Sequence, residues 1–375
     1  QPMTDRFSTS YFPRDQQRPM VDFVDRDQRR QLFLARQGLA QEEIIPLRSD
    51  ASFRRYFYLP QKNALVMDSP PHLYPTQIFH DRAALLARLG TIAVPTIHAA
   101  DHDDGFLQLE YLGDQSLTAL LNRQNQPQKS DDGKTAEELY RLVLNGLWRT
   151  QAAFMTTHDH HHHLPDYDGT VLLREAALLP DWYVGHHTNS DAPIAEEQRQ
   201  LFLARLMAIY QQLLAAHAPP RPVFVHRDFH VDNLLYHRGG IAWLDFQDAL
   251  LGHPVYDVMS LLEDARRDLP PLLQKTLWQE FIAAWQNHCP QQQDIEKNFT
   301  LWFHFLGLTR HAKVLGIFVR LNKRDGKTGY DQHLPRVLRL FRRSFHNLKQ
   351  TAPADQPWQN NIEQLEALLS RWRLL

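Results

Sequence analysis

Apolar positions follow two different rhythms along the chain. Between residues 54 and 112 they come as short runs, RRYFYL (54–59), NALVMD (63–68), TIAVPTIHAA (91–100) and FLQLEYL (106–112). Runs of this length, rich in β-branched and aromatic residues, predict strands, and Lys62–Asn63 predicts the turn of a hairpin between the first two. One stretch breaks the series: Ile78, Leu85, Leu86 and Leu89 recur at helical spacing over 76–89. A further helix is predicted over 26–38, with Leu32, Phe33 and Leu34 ahead of Gly38. Strands with an inserted helix make a small α+β unit.

Residues 122–135, NRQNQPQKSDDGKT, hold no aliphatic or aromatic side chain and predict a mobile loop. Beyond them the helical period takes over, with Leu139, Leu142, Val143, Gly146 and Leu147 on one face and Leu201, Ala204, Met207, Leu213 and Leu214 on another. The stretch 300–321 is apolar almost all round, which predicts a buried central helix. Ile362, Leu365, Leu368, Leu369 and Trp372 predict a closing amphipathic helix. The expected organisation is a polar, Pro-containing N-terminal arm (1–25), a small β-rich lobe (26–112) and a large, mainly helical lobe (113–375), an α+β fold.

Composition narrows the partners. Hydrophobic residues at 43% and charged residues at 22% are ordinary for a globular chain. A formal charge of −2 argues against nucleic acid, whose backbone selects a basic footprint. The single Cys289 rules out an intrachain disulfide and a cysteine zinc cluster. There is no apolar run of 18 residues and no signal-peptide core, so the expectation is a cytoplasmic protein with no membrane partner. No feature of the sequence identifies a protein partner.

The candidate chemistry lies in FVHRDFHVDNLLYHRGGIAWLDF (224–246), which sets three His, three Asp and an Asn among apolar flanks. Buried carboxylates must be paired or bind something. A hairpin through LLYHRGG with a Gly-Gly turn brings Asn233 and Asp245 together at its open end. Two hard oxygen ligands are what Mg²⁺ takes beside a nucleotide, the phosphates and water supplying the rest. Asp228 is left to accept the proton of an attacking hydroxyl.

The pattern H-x-D-x-x-x-x-N followed by L-D-F resembles the catalytic signature of the protein-kinase-like phosphotransferases. The continuation DALLGHPVYDVMSLL, with Gly252, His253, Pro254 and Asp257, is similar to the aminoglycoside and choline kinase branch. RSDASFRRYFYL, ALVMDSPP, LPDYDGTVLLREAALLPDWYVGHH and KVLGIFVRLNKRDGKTGYDQHLPR resemble the bacterial anomeric kinases of N-acetylmuramate and N-acetylglucosamine, which serve peptidoglycan sugar recycling. The resemblance implies a two-lobed protein-kinase-like fold, ATP and Mg²⁺ as cofactors, and a small sugar as substrate. It implies Asp228 as base, Asn233 and Asp245 as metal ligands, and Ser52, Phe53 and Arg54 over the phosphates. Glu110 and Leu112 of LEYLGDQSL fall at the adenine hinge.

Two departures matter. SDASFRRYF has no glycine where kinases keep a Gly-rich loop, and the strand ALVMD lacks the kinase lysine, so Arg54 is expected to steady the phosphates while Arg55 is solvated. The missing lysine keeps a nucleotide-binding pseudokinase in view, beside aminoglycoside, choline and homoserine-type kinases. For the acceptor, Glu175 and Trp182 are candidate sugar contacts, and Asp248 either caps a turn or faces the sugar. Arg320, Arg324 and Lys327 of RLNKRDGK form either a cationic helix end or a carboxylate site. Asp257 is expected to hold the catalytic loop from a helix start, with His226 and Arg227 structural. The run His158–His163 is expected to be a solvated loop.

Overall fold

A computed structural model describes residues 21–47, 54–124, 134–157, 164–190, 192–219 and 221–375. Ser52, Phe53, the His158–His163 run, most of the predicted arm and most of the predicted 122–135 loop lie outside the described residues. In chain order the first elements are α1 (Phe23–Arg36), β1 (Ile45–Pro46), β2 (Arg55–Leu59), β3 (Ala64–Asp68), α2 (Thr76–Leu89), β4 (Ile97–Asp101), β5 (Phe106–Glu110), α3 (Leu117–Gln124) and α4 (Ala136–Thr156). Then come α5 (Gly169–Ala176), α6 (Val184–His187), α7 (Glu196–His217), β6 (Val223–Val225), β7 (Leu234–His237), β8 (Gly240–Trp243) and β9 (Leu250–Gly252). The chain closes through α8 (Val255–Leu262), α9 (Pro271–His288), α10 (Ile295–Lys323), α11 (Leu334–Thr351) and α12 (Gln356–Arg371).

These elements form two compact units. The first runs to Ala153 and takes in Val231–Ala249; the second comprises Phe154–His230 and Leu250–Leu375. In the first, five antiparallel strands follow the order β1-β2-β3-β5-β4. A 3-10 turn at Pro60–Lys62 and left-handed Asn63 (φ +47°) join β2 to β3, where the sequence placed a turn. The run 91–100 is strand only from Ile97, because Pro95 cannot donate to a ladder. Asn122–Gln124, expected in a loop, complete α3. Phe33 and Leu34 of α1 pack on Phe57, Leu59, Val66 and Phe106, with Phe33 stacked on Phe106 at 5.6 Å.

The β7–β8 hairpin belongs to this first unit although residues 111–233 separate it from β5 in sequence. Ala93 N–H donates to Ile241 O (3.1 Å), Trp243 N–H to Ala93 O (3.0 Å) and Tyr236 N–H to Gln115 O (3.0 Å). Its two-residue turn is Arg238–Gly239, both left-handed (φ +49° and +81°), rather than the expected Gly-Gly pair. Positive φ at both positions matches strand twist.

The second unit is built around α10, 29 residues long and buried on nearly every side, as its apolar composition predicts. A Cβ at Gly316 would stand 2.2 Å from Leu178 O and 2.5 Å from Leu178 Cβ. Gly316→Ala is therefore expected to destabilise the chain by about 1–3 kcal/mol through overpacking, read as a lower urea midpoint. An unchanged midpoint would show that α10 is free to shift at this position.

Candidate active site

In the second unit, β6 delivers the chain into His226-Arg227-Asp228. Asp257, in the first turn of α8 beyond Pro254, is fully buried and accepts the backbone N–H of His226 (2.7 Å) and of Arg227 (3.1 Å). Burial pushes its carboxyl up to about 6, while His226 and the two amides pull it down. Arg227 takes a left-handed backbone (φ +76°), strain that the surroundings hold in place. Its guanidinium donates to Glu175 and lies 5.4 Å from the Tyr167 ring, and its carbonyl accepts from Arg310 Nη1 at 2.8 Å. Asp228 thus issues from a residue pinned through amide, side chain and carbonyl. Its side chain is 40% exposed, with Arg310 Nη1 4.0 Å from Oδ1. Burial works to raise its pKa, but the charges of Lys313, Arg310 and Arg227 hold the carboxyl well below the ordinary carboxylate range.

Glu175 differs from its expected role. It is buried, and it accepts from the Tyr167 hydroxyl, from Arg227 and from Lys313 Nζ (3.1 Å). Burial opposes its charge, yet Arg227 and Lys313 bring the carboxyl down to about 2. A carboxylate engaged in this way is not offered to a sugar. Trp182 sits half-buried in a π-helical turn, Leu179–Tyr183. Arg320 is buried near the C-terminal end of α10; burial and the like charge of Arg324 bring its guanidinium down to about 10 against Asp325. Arg324 grips Asp325 through Nε (2.7 Å) and Nη2 (3.1 Å), and Lys327 is half-buried.

The first unit holds the other set. Hairpin register brings Asn233 and Asp245 to the same open end, where Leu244 N–H donates to Asn233 O at 2.9 Å. Asp245 is left-handed (φ +56°), its carboxylate 45% exposed, with Oδ1 accepting from Gln247 Nε2 and lying 3.6 Å from Arg54 Nη1. Arg54 is buried with its guanidinium 4.6 Å from the Tyr74 ring. Burial opposes its charge, but Asp248, Tyr56 and Asp245 raise its pKa. Asp248 also acts on Arg82 of α2, so this carboxylate stands among guanidiniums. An amide and a carboxylate suit Mg²⁺. Among the described residues no group of three or more His, Cys, Asp or Glu is arranged to hold a metal.

Arg55, expected in solvent, instead pairs with Asp68 (Nε 3.0 Å) and Asp27 (2.9 Å), and Asp68 also takes Arg26 of α1 (Nε 2.8 Å). The strand end where kinases place a lysine therefore carries a carboxylate, with its cations on α1 and β2. Lys62 lies in the turn, 3.8 Å from Glu42. The Glu110 carboxylate accepts from Thr96 N–H (3.2 Å) and Oγ1 (2.9 Å), and the Leu112 carbonyl accepts from His237 Nδ1 (3.0 Å). Leu112, Leu235 and Ala242 form an apolar cluster with Ala93 and Leu244. Periodicity alone assigns no role to Arg310 and Lys313; two cations inside an otherwise apolar helix are the signal that buried carboxylates await them.

Residues 43–290 match the family described as phosphotransferase enzyme family. The N-acetylmuramate/N-acetylglucosamine kinase of Pseudomonas aeruginosa is 36% identical over 302 residues, 80% of this chain and 82% of that one. Its namesake in Neisseria meningitidis is 35% identical over 314 residues, 81% and 86% of the two chains. Among solved structures, a choline kinase from Cryptosporidium parvum superposes with a TM-score of 0.57 at 11% identity, covering 92% of this chain and 99% of that one. A choline/ethanolamine kinase family protein from Mesorhizobium loti gives 0.55 at 10% identity, covering 91% and 99%. The fold is the protein-kinase-like α+β fold expected from the sequence. The chain belongs to the phosphotransferase enzyme family, and it is an enzyme.

Proposed function

We propose that the chain is an ATP- and Mg²⁺-dependent cytoplasmic kinase that phosphorylates the anomeric hydroxyl of N-acetylmuramate, N-acetylglucosamine or both, in cell-wall sugar recycling. The observation that carries this reading is the 35–36% identity to kinases so named over about four-fifths of both chains. Asn233 and Asp245 hold the ion, which when bound neutralises charge on the nucleotide phosphates. Arg54 steadies those phosphates in place of the strand lysine, together with Ser52 and Phe53. The Glu110 carbonyl and Leu112 amide meet adenine over the Leu112–Leu235–Ala242 cluster. Asp228, five residues before Asn233, orients the sugar hydroxyl and takes its proton. Positioning and charge neutralisation supply most of the acceleration.

Arg320, with Arg324 and Lys327, is proposed to receive the lactyl carboxylate of N-acetylmuramate, which N-acetylglucosamine lacks; Trp182 and Asp248 are proposed to border the sugar. Choline asks for an aromatic cage and an aminoglycoside for an acidic pocket, and a buried guanidinium suits neither. The test is ATP consumption over N-acetylmuramate, N-acetylglucosamine, choline, homoserine and kanamycin, with phosphorylated C1 identified by ³¹P NMR. Turnover of choline or kanamycin alone rejects the reading; a melting shift with ATP and no turnover of anything indicates a pseudokinase. In the same assay Arg320→Gln is expected to lower kcat/KM for N-acetylmuramate by about 10–100-fold, the worth of a charge-assisted hydrogen bond. Turnover of N-acetylglucosamine changes by less than about threefold. Equal losses on both sugars would remove Arg320 from the carboxylate site.

A further inference from the structure

The second unit contains a buried ionic group that proton acceptance by Asp228 does not by itself require. Glu175 of α5 is 3% exposed and gathers Arg227 of the catalytic loop (3%), Lys313 of α10 (2%) and the Tyr167 hydroxyl. Lys313 lies three residues from Arg310, so the same side of α10 presents both cations. Arg227, Arg310 and Lys313 stand against the carboxylates of Glu175, Asp257 and Asp228, three charges of each sign. This group is neutral only while Glu175, Asp257 and Asp228 are all ionised. The other titratable neighbours are Tyr167, Tyr256, His226, His230 and, beyond His230, Arg266; burial keeps His230 well below its usual range and hence uncharged.

We propose that Glu175 and Lys313 are a positioning pair for the catalytic base: Glu175 anchors the Arg227 side chain, and Lys313, held on the same carboxylate, keeps positive charge directed at Asp228. The proposal rests on Asp228 being the proton acceptor for a sugar hydroxyl. In that step the hydroxyl oxygen bonds to the γ-phosphorus and the bond to the ADP oxygen breaks. The hydroxyl proton passes to Asp228 and leaves to solvent with the products. A carboxylate so surrounded is a weak base, so it accepts the proton late, once bonding to phosphorus has acidified the hydroxyl. That order fits a loose phosphoryl-transfer transition state. A purely architectural ion pair would contribute to folding and leave the proton affinity of Asp228 alone.

The experiment is the pH dependence of kcat for N-acetylglucosamine, a sugar without a carboxylate of its own, at saturating Mg²⁺ and ATP. It uses the full chain, its Lys313→Met, Lys313→Arg and Glu175→Gln variants, and circular dichroism at each pH to confirm folding. The unsubstituted chain is expected to show no loss of rate between pH 8 and 7, above the range in which Asp257 takes a proton. Lys313→Met lowers kcat about 10–100-fold and brings an acidic limb upward by about one to three pH units, the effect of removing a nearby opposite charge. Lys313→Arg restores the original profile, and Glu175→Gln lowers kcat and moves the limb in the same direction. A Lys313→Met profile that superposes on the original overturns the proposal. So does an acidic limb above pH 7 in the unsubstituted chain, beyond the range of Asp257, which decides the matter even where Lys313→Met does not fold. No turnover of either amino sugar by the unsubstituted chain overturns the functional reading and this proposal with it; turnover with unmoved profiles overturns this proposal alone.

Discussion

Asp228→Asn is expected to lower kcat for the amino sugar by about 10²–10⁴-fold, the usual contribution of a positioned proton acceptor. The side chain is 40% exposed, and its backbone is held through Asp257, Glu175 and Arg310 acting on His226 and Arg227, so the amide takes the same place. ATP with Mg²⁺ is therefore expected to raise the melting temperature of the variant by as much as that of the unsubstituted chain. The paired measurement is ADP release in a coupled assay beside thermal denaturation with and without nucleotide. Undiminished ADP release would remove Asp228 from the chemistry; lost nucleotide stabilisation would show that it supports binding instead.

Asp68→Ala is expected to cost about 3–5 kcal/mol of stability, the penalty for leaving a buried cation without its carboxylate. Asp68 is 1% exposed at the end of β3, with Oδ1 on Arg26 and Oδ2 on Arg55. Arg26 is itself 7% exposed, its guanidinium 4.3 Å from the Phe106 ring centre, so water does not replace the lost partner. Urea denaturation measures the loss. Adding Arg26→Met should recover a large part of it, because a buried pair removed whole costs far less than one removed by half. A double variant as unstable as the single one would place the stabilisation in Arg55 alone.

What could be read from the sequence followed the range of the interactions. Asn233 and Asp245 flank a hairpin that is written in its own alternation and turn, so their arrangement at its open end is legible. Asp257 was readable because Pro254 marks a helix start and a first-turn carboxylate there has backbone amides to meet. Helix α2 matched its predicted bounds, and the hydrophobic 300–321 stretch does lie at the centre of α10. Glu175 was misjudged because its partners are 52 and 138 residues away, and no periodicity encodes which carboxylate meets which cation across a core. Arg55 was misjudged for the same reason: strand alternation gives its face, while Asp68 and Asp27 decide what waits there. The apolar neighbours of Ala93 predict a strand, whereas its backbone pairs with the hairpin.

The hairpin also sets a rule for how this chain can vary. Side chains alternate along β7 and β8, so one residue gained or lost in either arm turns everything beyond it to the opposite face and carries Asp245 away from Asn233. The Arg238–Gly239 tip lies at the far end of the ladder, and length added there leaves the paired rungs where they are. The open end therefore has fixed spacing while the tip is open to ornament. Insertions or grafted peptides in this segment belong between Arg238 and Gly239 and nowhere else along it.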